Sequence, residues 1–314
     1  MRKFLIAIVV LVLVALPGAV WLFSTPDIMR VILDDKYASP ASEFLILPDG
    51  ANVHVRDEGP RDAPVLLLVH GSNASLLTWE PWVKRLSNSL RLVTLDMPGH
   101  GLTGAVPDGD YSQAAMVRAV KETADKLHLE KFAIGGNSMG GGVAARFAEL
   151  YPARITHLIL VDAAGMPTQQ GTKIPLAFKI ARIPVLNRIM LYVTPRSMVR
   201  EGLETAIVRK DIITDAMIDS YWNFARMEGT RAATLARFSL PPSADVARDI
   251  AKIKAPTLIL WGAQDSLIPV ASAHLFAKAI AGSRLIVYPA TGHLPQEEVA
   301  DQSAADVRRF LGAP

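Results

Sequence analysis

Short runs of Val, Leu and Ile with almost no polar residue, each followed by a longer stretch with apolar residues at helical spacing, recur along most of this chain. "PVLLLVHG" from Pro64, "RLVTLDMPGHG" from Arg91, "KFAIGGNS" from Lys131, "ITHLILVDAAG" from Ile155, "APTLILWG" from Ala255 and "SRLIVYP" from Ser283 are runs of this kind. A strand without a polar face must be covered on both sides, which a parallel sheet between two layers of helices achieves. Helical spacing is found over 75–89, 111–128, 139–150, 270–280 and 296–310. Two further strand-like runs, "EFLILP" from Glu43 and "NVHVRDEG" from Asn52, lead in as a hairpin-like pair. The pattern predicts an α/β protein whose eight strands form a mostly parallel sheet with helices on both faces.

The alternation lapses from 165 to 240, where helix-like stretches such as "IPLAFKIARIPVLNRIMLYV" and "DAMIDSYWNFARMEGTRAATLARF" are separated by Pro184, Pro195 and Gly202. This segment reads as a helical cap inserted after the sixth strand, which divides the sheet domain into 43–164 and 241–314. Residues 27–42 read as a polar-flanked connector. Ahead of them Phe4 to Phe23 form an uncharged, mostly apolar run of 20 residues. At about 1.5 Å per residue that run is long enough to cross roughly 30 Å of hydrocarbon. An uncleaved anchor over 1–26 is expected rather than a signal peptide, whose apolar part is usually about 7–15 residues long. Pro17-Gly18-Ala19 followed by bulky Trp21 is also a poor cleavage site. Arg2 and Lys3 at its tip favour the cytoplasmic side, which would put the rest of the chain outside the inner membrane of a bacterial source.

With 314 residues, half of them hydrophobic, the chain can bury a sizeable core. Its 33 basic and 30 acidic residues form no long run of one sign, so no electrostatic footprint for nucleic acid is visible. There is no cysteine, which excludes disulfides, thiolate zinc sites and a cysteine nucleophile. The glycines of "GGNSMGGG" match neither a Walker loop nor G-x-G-x-x-G in its usual frame, so no nucleotide, metal or other cofactor is expected.

Those glycines surround one serine. Ser138 stands at the junction of a predicted strand and a predicted helix, within Gly136-Asn137-Ser138-Met139-Gly140. A strand that turns abruptly into a helix strains the residue at the turn and crowds the positions two before and two after it, where glycine removes the clash. The hydroxyl then projects above the carboxyl end of the sheet, beside the free N–H groups of the helix N-terminus. The plainer alternative is a glycine-rich turn whose serine caps the helix.

Further motifs follow the other strands: "HGSNAS" from His70, "LDMPGHGLTG" around Asp96, "WGAQDSLIP" around Asp265 and "TGHLPQEE" around His293. From Glu43 onward the chain thus resembles the α/β-hydrolase superfamily, in particular its cap-bearing serine hydrolases, which include bacterial esterases and meta-cleavage-product hydrolases. The resemblance implies Ser138 as nucleophile, His293 as general base and Asp265 as the acid that orients the imidazole. Asp162, at the end of the sixth strand, competes with Asp265 because some members carry the acid there. The resemblance also implies an oxyanion hole from the backbone N–H groups of Ser72 and Met139, with Asn73 as a neighbouring candidate. Asp96 is expected to brace its loop, and His70 and His100 to shape the pocket floor. His54, His128, His157 and His274 read as structural.

A serine at the elbow disfavours the alkyl-enzyme chemistry of dehalogenases and epoxide hydrolases and points to acyl transfer, with carboxylic esters first. Carbon–carbon hydrolysis of ring-fission products is the second reading, because "GNSMGG" is similar to the elbow of that family. The stretch Ser72-Asn73-Ala74-Ser75 departs from that family's usual loop. A non-catalytic binding protein on the same scaffold is the third. The cap overhangs the ends of the strands, where it is expected to set specificity, with Trp222 and Phe224 as substrate-binding candidates. The expected substrate is a lipophilic acyl compound delivered from the bilayer.

Overall fold

The computed structural model describes residues 22–167, 183, 186–240 and 249–313. Eight strands make one sheet: β1 (Ser42–Ile46), β2 (Asn52–Glu58), β3 (Val65–Val69), β4 (Arg91–Leu95), β5 (Phe132–Asn137), β6 (Ile155–Val161), β7 (Thr257–Gly262) and β8 (Arg284–Tyr288). Their order is β1-β2-β4-β3-β5-β6-β7-β8. β2 pairs antiparallel with both neighbours, and the β4-β3-β5-β6-β7-β8 pairs are all parallel.

Alternation along β3 sorts its side chains into two cores. Leu66 and Leu68 pack with Trp79, Trp82 and Val307, whereas Leu67 and Val69 pack with Val120, Val143 and Phe276. The first layer is supplied by α2 (Glu80–Leu86) and α10 (Ala300–Leu311), tied together by the Trp82 indole N–H donating to Ser303 at 2.9 Å. The second is supplied by α3 (Gln113–Lys126), α4 (Met139–Leu150) and α8 (Ala271–Ala279). Burying one such Leu contributes about 1.5–3 kcal/mol, so the apolar runs drive the sandwich.

Several expected segments shift at their ends. Ser112 caps α3 by accepting the Ala115 N–H, and Ser75 starts a 3-10 turn over Leu76–Trp79 before α2 begins. The stretch 296–310 is two helices, α9 (Pro295–Glu298) and α10, broken at Val299 with φ −130° and ψ 46°.

Between β6 and β7 the described residues hold no strand; they include 3-10 turns (Leu186–Leu191, Lys210–Ile212 and Ile250–Lys252), α5 (Arg196–Ala206), α6 (Asp215–Ala225) and α7 (Thr230–Ser239). Gly202, expected to separate helices, lies inside α5, and the run 215–238 is instead divided by Gly229, whose φ of 79° suits only glycine.

The connector is also more ordered than expected. It contains α1 (Arg30–Tyr37), whose Leu33 is buried against Leu102, Phe224 and Met227. Thr25 and Asp27 both bind Arg231, and Ile28 forms an isolated bridge with Met227. The connector is therefore fastened to the cap. The expected membrane-spanning helix over Phe4–Phe23 falls, except for Leu22 and Phe23, outside the described residues, among which no helix is long and apolar enough to cross a membrane.

Candidate active site

The strand order reverses at β3, whose neighbours are β4 on one side and β5 on the other. In open α/β sheets ligands enter at such a point, beyond the carboxyl ends of the strands. The loops carrying His70-Gly71-Ser72 and Ser138 leave the sheet there.

Ser138 is the only residue between β5 and α4, and it adopts φ 54° and ψ −120°. A non-glycine residue in such a conformation costs about 1–3 kcal/mol and persists because its surroundings hold it. Here the Ser138 N–H donates to Val161 O at 3.0 Å, and its carbonyl accepts from Ala164 N at 2.8 Å and Gly142 N at 3.2 Å. The hydroxyl makes no capping bond to α4, so the capping alternative fails. Space explains the flanking glycines. A Cβ at Gly140 would lie 2.1 Å from Val69 O, and one at Gly136 would lie 2.2 Å from Gly140 O.

His293 follows β8 on the turn after Thr291-Gly292. Its Nδ1 donates to Asp265 Oδ2 at 2.7 Å, while Asp265 Oδ1 accepts from Leu267 N at 2.8 Å and Ile268 N at 3.0 Å. Both side chains are buried. That tautomer leaves Nε2 unprotonated and able to accept a proton. The Asn137 amide donates to the His293 carbonyl at 3.0 Å and to Val161 O at 3.2 Å, which ties the residue before Ser138 to the histidine loop. Ser138 and His293 line the same cavity, and among the described residues no hydrogen bond joins their side chains.

Asp162, the competing acid, is fully buried at φ 43° and accepts the Gly262 N–H at 3.0 Å. Burial, reinforced by Asp265, pushes its carboxyl well above the ordinary range and so favours its neutral form. One ligand atom each of Asp162, Asp265 and His293 fall within 4.8 Å of one another, but the imidazole N–H is bound to Asp265.

Met139 is the first residue of α4, where an N–H has no partner within the helix. Ser72 and Asn73 line the cavity, and a Cβ on Gly71 would lie 3.2 Å from Ser138 Cβ. His70 fixes this turn: Nδ1 donates to Gly71 O at 2.7 Å and Nε2 accepts from Met97 N at 3.0 Å. Burial pulls both His70 and His100 below the ordinary imidazole range, so both rings are neutral. Asp96 accepts from the Leu76 and Leu102 N–H groups at 2.8 Å each and from His54 at 2.7 Å, bracing two loops.

Above these loops lies a cavity of about 890 Å³, a size suited to a small organic molecule. The cap lines it with Met190, Met198, Val199, Leu203 and Phe224 among others. Trp222, expected beside Phe224, is not among the lining residues. Its indole N–H donates to Thr194 O at 2.7 Å on one side of α6, with the Arg226 guanidinium 4.1 Å over the ring.

Two residues that reading the motifs missed reach this site from afar. Arg237 on α7 is buried and donates to Asn73 Oδ1 at 2.7 Å and His100 Nε2 at 2.6 Å. Glu298 is buried and accepts from Gly292 N at 2.8 Å, Val208 N at 2.8 Å and Arg209 N at 3.1 Å, joining the histidine loop to the end of α5. No local motif marks Arg237, and "TGHLPQEE" contains Glu298 without giving it a role. Glu298 alone had a signal, as an acidic side chain five positions after the histidine.

Known proteins resemble the chain over this same region. It is 31% identical over 265 residues to the monoacylglycerol lipase ABHD6 of Bos taurus, covering 81% of this chain and 77% of that protein. It is 28% identical over 261 residues to the 2-hydroxy-6-oxo-6-phenylhexa-2,4-dienoate hydrolase of Burkholderia cepacia, covering 79% and 87%. Among solved structures, a bacterial membrane phospholipase A matches its fold with a TM-score of 0.76 at 22% identity, over 99% of this chain and 98% of the other. Residues 64–300 match the family described as alpha/beta hydrolase fold, and with its eight-stranded, mostly parallel sheet this chain is a hydrolase belonging to that family.

Proposed function

We propose that the chain is a serine hydrolase that cleaves carboxylic esters through an acyl-serine intermediate. The observation that carries this reading is the strained single-residue turn at Ser138, on a cavity wall shared with a His293 that is already bonded to Asp265. In this reading Ser138 Oγ attacks the ester carbonyl while His293 Nε2 takes its proton. The Ser72 and Met139 N–H groups receive the oxyanion, a contribution worth about 2.7–4 kcal/mol of barrier per donor in comparable sites. Collapse expels the alcohol, which takes the proton back from His293. Water then repeats the sequence on the acyl-serine and restores the free hydroxyl.

The substrate is lipophilic, a reading supported by the apolar residues that the cap gives the cavity, among them Met190, Met198, Val199, Leu203, Phe224 and Leu235. The apolar run Phe4–Phe23 anchors the enzyme in a membrane with the hydrolase domain on the extracytoplasmic side. Carbon–carbon hydrolysis is a second reading, favoured by the 28% identity to the dienoate hydrolase. The test is labelling by a fluorophosphonate probe, followed by a panel of esters, lactones and ring-fission acids. Labelling that disappears in Ser138→Ala is expected. An unlabelled but folded wild type would instead point to a binding protein. Activity on para-nitrophenyl esters is expected to persist beyond butyryl, and a steep fall there would remove the lipophilic substrate.

A further inference from the structure

Arg237 is a cation in an unusual setting. It lies on α7 of the cap, 9% exposed, and among the described residues no carboxylate pairs with it. Its Nε has no hydrogen-bond partner, and its Nη atoms are spent on two neutral acceptors, Asn73 Oδ1 at 2.7 Å and His100 Nε2 at 2.6 Å. His100 is fixed as an acceptor because its other nitrogen donates to Pro98 O at 2.9 Å. Burial draws the guanidinium down to about 10, which still leaves it charged at neutral pH. Apart from the Phe238 ring, 5.0 Å from the guanidinium, the described residues place no compensating group against this charge; burying it costs stability, and a neutral side chain of similar shape would fill the same space at less cost.

Both acceptors lead to one turn. Asn73 stands at φ 59° directly after Ser72, and the His100 ring packs 5.0 Å from the ring of His70, which holds Gly71 O. The guanidinium therefore grips the Gly71-Ser72-Asn73 turn directly and also through the two histidines.

We infer that Arg237 is a positioning residue: from the cap it sets the oxyanion turn through Asn73. This rests on the serine-hydrolase reading above. A purely structural role predicts loss of thermal stability with little change in turnover per folded molecule.

The test compares full-length wild type with Arg237→Met, Arg237→Lys, Asn73→Ala and the Arg237→Met/Asn73→Ala double variant. The readouts are kcat and KM on para-nitrophenyl butyrate, the rate of fluorophosphonate labelling, and the melting temperature. Arg237→Met is expected to lower kcat and the labelling rate at least tenfold with KM changed less than about threefold, and lysine is expected to restore part of the loss. The double variant should fall no more than about threefold below the worse single one, because the arginine acts through the asparagine. Should Arg237→Met fail to fold, Arg237→Lys and Asn73→Ala complete the same cycle. A folded Arg237→Met with kcat within threefold of wild type, or losses that multiply in the double variant, would overturn the inference while leaving the hydrolase reading intact. A wild type that the probe never labels would overturn both.

Discussion

Two carboxyl groups stand near the His293 imidazole, and their surroundings treat them differently. Asp265 receives the ring N–H and two backbone N–H groups, whereas Asp162 sits fully buried with one oxygen unpartnered and its carboxyl pushed well above the ordinary range. A carboxyl biased toward its neutral form is the poorer partner for an imidazolium. Asp265→Asn is therefore expected to lower kcat by roughly 10³–10⁴, as loss of the orienting acid does in triad enzymes, while Asp162→Asn stays within about tenfold of wild type. The opposite ranking in steady-state assays would move the acid to β6. Glu297 offers a separate test. Burial raises its carboxyl to about 7, with Thr78 hydrogen-bonded to it. The fold thus favours the protonated form, and its contribution to stability is full in acid and lost as pH rises through 7. Glu297→Gln imitates the protonated acid. Calorimetry should find it more stable than wild type at pH 8 and no different near pH 4, and a gap of the same size at both values would refute this origin.

At the scale of elements, the cap is stitched to the loops of the candidate site from two sides, by Arg237 at the β3 turn and by Glu298 at the β8 turn. The His293 N–H also donates to Ala206 O at 2.8 Å, so the end of α5 and the histidine loop form one bonded unit. Removing the Glu298 carboxylate strands the buried Gly292 N–H and the part-buried Val208 and Arg209 N–H groups, a buried one being worth about 1–3 kcal/mol. Glu298→Ala is expected to lower unfolding stability by at least ~2 kcal/mol and to slow turnover together with it, measurable by denaturant titration and ester hydrolysis. The same stitching explains what the sequence could and could not reveal. α4 was legible to the residue, because its elbow and the Tyr151-Pro152 that follows it are local signals. The buried strands, and the placing of Ser138, Asp265 and His293 just past the ends of β5, β7 and β8, were legible for the same reason. α1 was not, since its order depends on Leu33 meeting Phe224 and Met227 across the fold. The break at Val299 was hidden because Glu298 turns toward the histidine loop instead of outward. Arg237 escaped notice because nothing within its own helix distinguishes it from a surface arginine.

For the whole molecule, the anchor proposal sets a clear partition experiment. The full chain should enter the detergent-rich phase in Triton X-114 separation and resist carbonate extraction, while a chain beginning at Leu22 should stay in the aqueous phase with its esterase activity intact. Equal partitioning of the two would dismiss Phe4–Phe23 as an anchor. Where the shortened chain starts matters. Cutting at Asp27 would remove Thr25, whose hydroxyl and carbonyl both receive the Arg231 guanidinium. From Thr25 to Tyr37 the backbone runs along the cap, the roof of the cavity, before it reaches the sheet: Asp27 grips Arg231, Leu33 wedges against Met227, and the Tyr37 carbonyl takes a hydrogen bond from Arg56 of β2. Tension applied at residue 22 is thus felt by the roof before the sheet, and a roof that swings open must drag this leash along.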